Sequence, residues 1–164
     1  MIIDDPDTKK FKKTCKYVSQ YLPIFDRYIP TRFKKYLKHS GDADRAKKAV
    51  KLGDGPHFKI RDTASIIGDT SNGFFWAMYP QDIYLEVANA EKLEKDHAKY
   101  EIALQYLLLH ELIHYVRYHA GLPDDNLADG TDLGDAFEKD AYGRDMSHVW
   151  ESGAASFDRG TVSL

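Results

Sequence analysis

The chain has 164 residues, 43% of them hydrophobic and 30% charged, with a formal net charge of −3. This is the composition of one soluble globular domain with a core of its own. No apolar run is long enough to span a membrane, and the single cysteine, Cys15, excludes an intramolecular disulfide and a zinc site built from thiolates. The acidic start Met1-Ile2-Ile3-Asp4-Asp5-Pro6-Asp7 does not fit a secretory signal peptide. Synthesis in a reducing compartment is therefore expected, with any export following a route that needs no cleavable signal.

The net charge hides an asymmetry. Residues 1–52 hold 14 Lys/Arg against 6 Asp/Glu, and residues 53–164 hold 9 against 20. A basic segment can bind nucleic acid or an anionic surface. No nucleic-acid motif accompanies these lysines, so they are expected to cover the acidic half of the same fold or to face solvent.

In chain order, residues 8–22 predict an amphipathic helix, with Phe11, Cys15, Val18 and Leu22 at three- and four-residue spacing. Pro23 and Pro30 bracket a link. Thr31 is placed to cap a second helix that Gly41 ends, and residues 42–52 predict a third that Gly53 closes. After Gly55-Pro56 the pattern changes. Residues 57–61 and 64–67 are strand candidates, residues 68–73 a dense turn signal, and residues 74–79 an aromatic strand. Ile83, Leu85 and Val87 alternate as in a half-buried strand. Residues 98–120 form a long helix stopped by Gly121 and Pro123. Residues 122–131 read as an acidic loop, residues 133–145 as a helix, and the tail after Trp150 carries little pattern. The expected class is α+β in one domain, 1–164, with a helical part (1–55) followed by a small mixed sheet and zinc-binding helices (56–164).

The long helix contains His110-Glu111-Leu112-Ile113-His114, the pattern H-E-x-x-H. Residues four apart lie about 40° apart around a helix and one turn along it, so the two imidazoles face the same way. That geometry suits two nitrogens on one tetrahedral zinc ion, with Glu111 within reach of a water on the metal but not ligating it. Leu107, Leu108 and Leu109 lead into the motif. Two histidines and a carboxylate on so apolar a helix need compensation. Chance placement of satisfied core histidines is the competing interpretation, and the apolar setting favours metal.

Two histidines need a third ligand. His119 is excluded by geometry, because five residues turn it about 140° from His114. The metzincin spacing fails too, with Arg117 where a glycine is needed and Ala120 where a histidine is needed. Downstream stand Asp124, Asp125, Asp129, Asp132, Asp135, Glu138, Asp140, Asp145 and His148. Glu138 is favoured, as a carboxylate from a second helix crossing the first, the arrangement of gluzincins. Asp132 follows it, because Gly130-Thr131-Asp132 resembles the aspzincin ligand segment.

Taken together, His110-Glu111-Leu112-Ile113-His114-Tyr115 with Tyr118 and Gly121, and then Gly134, Phe137, Glu138, Tyr142 and Gly143, resemble the metallopeptidase toxin domains of bacterial polymorphic toxins. Such domains end the VgrG- and Rhs-type effectors of type VI secretion. The resemblance covers residues 110–143. It implies a zincin-like (gluzincin-like) fold with an H-E-x-x-H active-site helix, one Zn²⁺ per chain and Glu138 as third ligand. It also implies a protein or peptide substrate, synthesis in a bacterial cytoplasm, and delivery into the periplasm of a competitor or into a host cell. A cognate immunity protein and a VgrG- or Rhs-type carrier are its implied partners. Gluzincins place an aspartate four residues after the ligand glutamate; here Tyr142 stands there, and the sequence names no other partner for the zinc histidines.

The chemistry expected of such a site is hydrolysis by a metal-activated water, with Glu111 as general base. Tyr142 and His148 are the candidate donors to the oxyanion. Residues 74–79 are the candidate edge strand for an extended substrate, with Trp76 and Tyr79 near the cleft. The alternatives are a peptidoglycan amidase or endopeptidase, a housekeeping peptidase, and a binding module whose zinc is structural.

Overall fold

A computed structural model describes residues 1–123, 127, 129–146 and 148–152. Expectations for the tail beyond residue 152, and for part of the loop 122–131, fall outside these residues.

Three strands run parallel and one antiparallel. β1 (Ile2–Ile3), β2 (His57–Arg61), β3 (Gly73–Phe75) and β4 (Asp82–Glu86) form a mixed sheet in the order β1-β2-β4-β3. β1 and β4 flank β2 in parallel, and β3 lies antiparallel on β4 at one edge. Phe58 and Ile60 of β2 alternate inward with Ile83 and Leu85 of β4. Their neighbours Lys59, Arg61 and Tyr84 face the other side, as the two-residue period requires. The expected α+β order and small mixed sheet are thus both present.

The helices α1 (Asp5–Lys10), α2 (Lys12–Gln20), α3 (Phe25–Tyr28), α4 (Pro30–Ser40) and α5 (Ala43–Ala49) precede β2, apart from the short β1. Periodicity predicted one helix over 8–22. Two form instead, because Phe11 leaves helical backbone (φ −115°, ψ 65°) and buries its ring at the break. Thr31 is not the cap of α4; Ile29 holds that place, with Pro30 pre-set for the first turn. Asp42 does cap α5, its carboxylate accepting from Arg45 N at 2.9 Å.

Residues 64–67, predicted as strand, form the short helix α6 (Ala64–Ile67). Asp62 accepts from Ala64 N, and Glu86 holds the backbone and hydroxyl of Thr63, so the chain turns before it can pair. The aromatic strand is shorter than expected, since β3 ends at Phe75 and residues 76–81 turn. Val87, taken as the end of a strand, starts α7 (Val87–Lys95), which Glu86 caps.

α8 (His97–His119) is the central helix, capped by Asp96 and buried along most of its length. β3 can lie against it because Gly73 has no side chain: a Cβ there would come within 2.8 Å of Leu107 and 2.5 Å of the Tyr84 carbonyl. α9 (Leu133–Tyr142) crosses α8, and α10 (Val149–Ser152) follows.

The basic N-terminal helices do face acidic ones. Lys13 donates its backbone N–H to the Glu94 carboxylate of α7 at 3.1 Å, and Lys35, Lys38 and His39 of α4 surround Asp140 of α9 at 3.1, 3.3 and 3.0 Å. The hydrogen bond from His39, then that from Lys35, hold the Asp140 carboxyl well below the usual carboxylate range. A depressed carboxylate contributes stability above its unfolded value of about 4 and loses that contribution as pH falls. Asp140→Asn should therefore lower Tm at pH 7, and the gap from the native chain should narrow below about pH 4. A gap of equal size at pH 7 and pH 3 would rule out this ion pairing as its source. No described helix is long and apolar enough to cross a membrane.

Candidate metal centre

His110, Glu111 and His114 lie on α8, with the histidines one turn apart and their ring centroids 5.2 Å from each other. Asp132 is the cap of α9. Its Oδ1 accepts from Gly134 N at 2.7 Å and Asp135 N at 3.1 Å, so the start of the second helix aims and holds this carboxylate. The same oxygen stands 3.4 Å from His110 Nε2 and 3.3 Å from His114 Nε2. Ligand atoms on one tetrahedral ion, with bonds of roughly 2.0–2.1 Å, are about 3.3 Å apart. The two separations from Oδ1 match that spacing, and the ligand atoms of the three residues all lie within 4.8 Å of one another. Burial pulls the Asp132 carboxyl upward, but the hydrogen bond and charge of His114, then His110, outweigh it and hold Asp132 below the carboxylate range.

Glu138, expected as the third ligand, meets the other ring nitrogen of His110. Its Oε1 lies 2.7 Å from His110 Nδ1, the ring nitrogen facing away from Asp132, and its Oε2 accepts from Met146 N at 2.9 Å. Both oxygens are engaged, and 2.7 Å is a hydrogen-bond length. A buried carboxylate on Nδ1 fixes the tautomer that presents Nε2 to a metal. His110, Asp135 and Glu138 form a second group whose ligand atoms lie within 4.8 Å of one another and could hold an ion, here with Asp135 Oδ1 4.0 Å from His110 Nδ1.

The His110 ring also has a floor. A Cβ at Gly134 would come within 2.3 Å of His110 Cδ2 and 2.4 Å of its Nε2. Alanine is a better helix former than glycine, so Gly134→Ala should keep α9 and still push the imidazole out of place. Expected is a large loss of bound metal with unchanged far-ultraviolet circular dichroism. Full metal content in this variant would show that the ring tolerates the methyl.

Glu111 is buried, and its Oε2 accepts from the backbone N–H of Phe75 in β3 at 2.7 Å. Burial raises its carboxyl above the ordinary value, while His110, His114 and the Phe75 amide act in the opposite direction.

The remaining expected residues lie elsewhere. Tyr142, expected as an oxyanion donor, gives its hydroxyl to Gln105 Oε1 at 3.1 Å and packs its ring against Arg32, Tyr106 and Phe137. Its ring thus packs among α4, α8 and α9. His148 is exposed in the turn before α10. His119 contacts the Pro80 carbonyl through Nε2 at 2.6 Å, away from the histidine pair. Asp124 and Asp125 fall outside the described residues. The sequence shows Gly134 only as part of the motif, without its contact to His110, and gives no sign of the Phe75 amide. Asp132, directly before a helical run, carries a cap signal that the sequence does show.

A family model described as metallopeptidase toxin 3 matches residues 7–143. The chain belongs to this family. Comparison with curated proteins and with solved structures gives no match. The matched span includes His110, Glu111, His114, Asp132 and Glu138, so these residues lie inside the metallopeptidase toxin domain. Membership agrees with the resemblance seen in the motifs and implies a metal ion, and the donor set found here fits one.

Proposed function

We propose that this metallopeptidase toxin domain is a zinc endopeptidase in which His110, His114 and Asp132 hold the ion, Glu138 orients His110, and Glu111 is the general base. The observation carrying this reading is the placement of Asp132 Oδ1 at 3.4 and 3.3 Å from the two Nε2 atoms. Two imidazoles and one carboxylate are a ligand set of catalytic zinc sites, which keep a further position for water and substrate. When bound, the ion lowers the pKa of water and polarises the scissile carbonyl.

The chain's own groups supply the rest. Phe75 N–H holds Glu111 Oε2, which leaves Oε1 to take the proton of the attacking water and later pass it to the departing amine. Glu138 keeps the His110 proton on Nδ1. Of the two donors expected for the oxyanion, Tyr142 is turned to Gln105, and His148 is the one with solvent access. As a toxin domain it acts in a target cell, reached through a VgrG- or Rhs-type carrier, while an immunity protein protects the producer.

The test is elemental analysis of the purified chain together with hydrolysis of an unfolded protein substrate. One zinc per chain and cleavage that a chelator stops and zinc restores are the expected results. A chain that binds no metal after reconstitution, or that binds zinc and cleaves nothing, would refute the reading.

A further inference from the structure

An extended substrate would be expected to add to the free edge of β3, yet part of that edge is already occupied. Asn72 O accepts from Glu86 N, so residues 72 and 74 exchange the ladder bonds with β4, and the amides and carbonyls of Gly73 and Phe75 point away from it. Of these outward groups, Phe75 N–H is bonded to Glu111 and the Gly73 carbonyl to the Ser71 hydroxyl at 2.7 Å. β3 is also only 3 residues long. Main-chain pairing there has little to offer a substrate beside Glu111.

Side chains offer more. Tyr118 lies one turn beyond His114 on α8, on the same side of the helix, and is 42% exposed. The half-buried ring of Phe75 stands 5.7 Å from it, centroid to centroid, and 6.1 Å from the buried Tyr115. The two accessible rings therefore make an aromatic wall that begins at the residue holding Glu111. The wall is braced: His119 Nε2 contacts the Pro80 carbonyl, which ties the turn after β3 to the end of α8.

We infer that Phe75 and Tyr118 form a substrate subsite for a large apolar or aromatic side chain next to the scissile bond, and that Tyr118 sets this preference. The inference rests on the peptidase reading above. It makes recognition a matter of one side chain against the wall more than of a long strand added to β3.

The experiment uses the zinc-loaded chain and an equimolar mixture of peptides that differ only at the residues flanking one central position, with cleavage followed by mass spectrometry. The native chain should favour bonds beside Phe, Tyr, Leu or Met. Tyr118→Ala should lose about tenfold or more in kcat/KM on those peptides, mostly through KM, and change little on peptides with Gly or Ser there. Tyr118→Phe, which keeps the ring, should retain the native profile, and metal content should be native in both variants. A uniform loss over all peptides, or an unchanged profile in Tyr118→Ala, overturns the subsite and leaves the peptidase reading intact. A native chain that holds zinc and cleaves none of the peptides overturns both.

Discussion

Replacing Asp132 with alanine is expected to strip the chain of tightly bound zinc, whereas Glu138→Gln should still bind one ion with an affinity lower by about 10–100-fold. The difference follows from which nitrogen each carboxylate faces. Asp132 Oδ1 is set at ligand spacing from both Nε2 atoms, and its removal leaves two imidazoles and no anionic donor. Glu138 reaches Nδ1 of His110 alone, so glutamine can still accept the Nδ1 proton, though less strongly than a carboxylate. Zinc titration with a competing chelator measures both. Asp132→Ala also removes the cap of α9, which costs about 1 kcal/mol on its own account. Asp132→Asn, which keeps a capping oxygen, separates the two effects: it should hold Tm near native and still bind zinc poorly. Native affinity in Asp132→Asn together with loss in Glu138→Gln would assign the ligand role to Glu138 instead.

Glu111→Gln should keep the metal and lose the chemistry. A positioned general base contributes about 10²–10⁴-fold, so a fall of that order in kcat is expected, with zinc content unchanged. Glutamine preserves the shape and can still accept from Phe75 N–H through its carbonyl oxygen, so geometry is not the variable. The fold raises the Glu111 carboxyl by burial, which means that it disfavours the charged form, so a neutral amide should leave Tm no lower than native. Activity within a few-fold of native would assign the base to another group. Loss of zinc alongside loss of activity would mean that Glu111 helps to hold the ion.

Much of the helical content was readable because its signals are local. Asp42 and Asp96 cap the helices they precede, and Gly41 and Gly121 follow helix ends with positive φ, whereas the helix expected over 133–145 stops at Tyr142, before Gly143. The misread segments were decided by distant partners. Residues 64–67 turn into a helix because Glu86, on β4, holds Thr63. Phe11 breaks a periodic pattern because the core it enters is built by later parts of the chain. The contact of the Tyr142 hydroxyl with Gln105 likewise depends on how α9 packs against α8, which the sequence does not state.

The candidate site divides in the same way. That His110 and His114 share a side of one helix, with Glu111 beside them, follows from helical period, and a sequence states it outright because the pair is joined by a single turn of backbone. Which carboxylate meets their Nε2 atoms depends on how α9 crosses α8. Asp132 and Glu138 are both on or at the start of α9, and either could have faced the pair. The crossing is set by the absence of a side chain at Gly134 against the His110 ring, by the Asp140 cluster on α4, and by the buried ring of Phe137. Those are contacts between segments far apart in the chain, so only the tertiary structure decides that Asp132 faces the two Nε2 atoms and Glu138 the Nδ1 of His110.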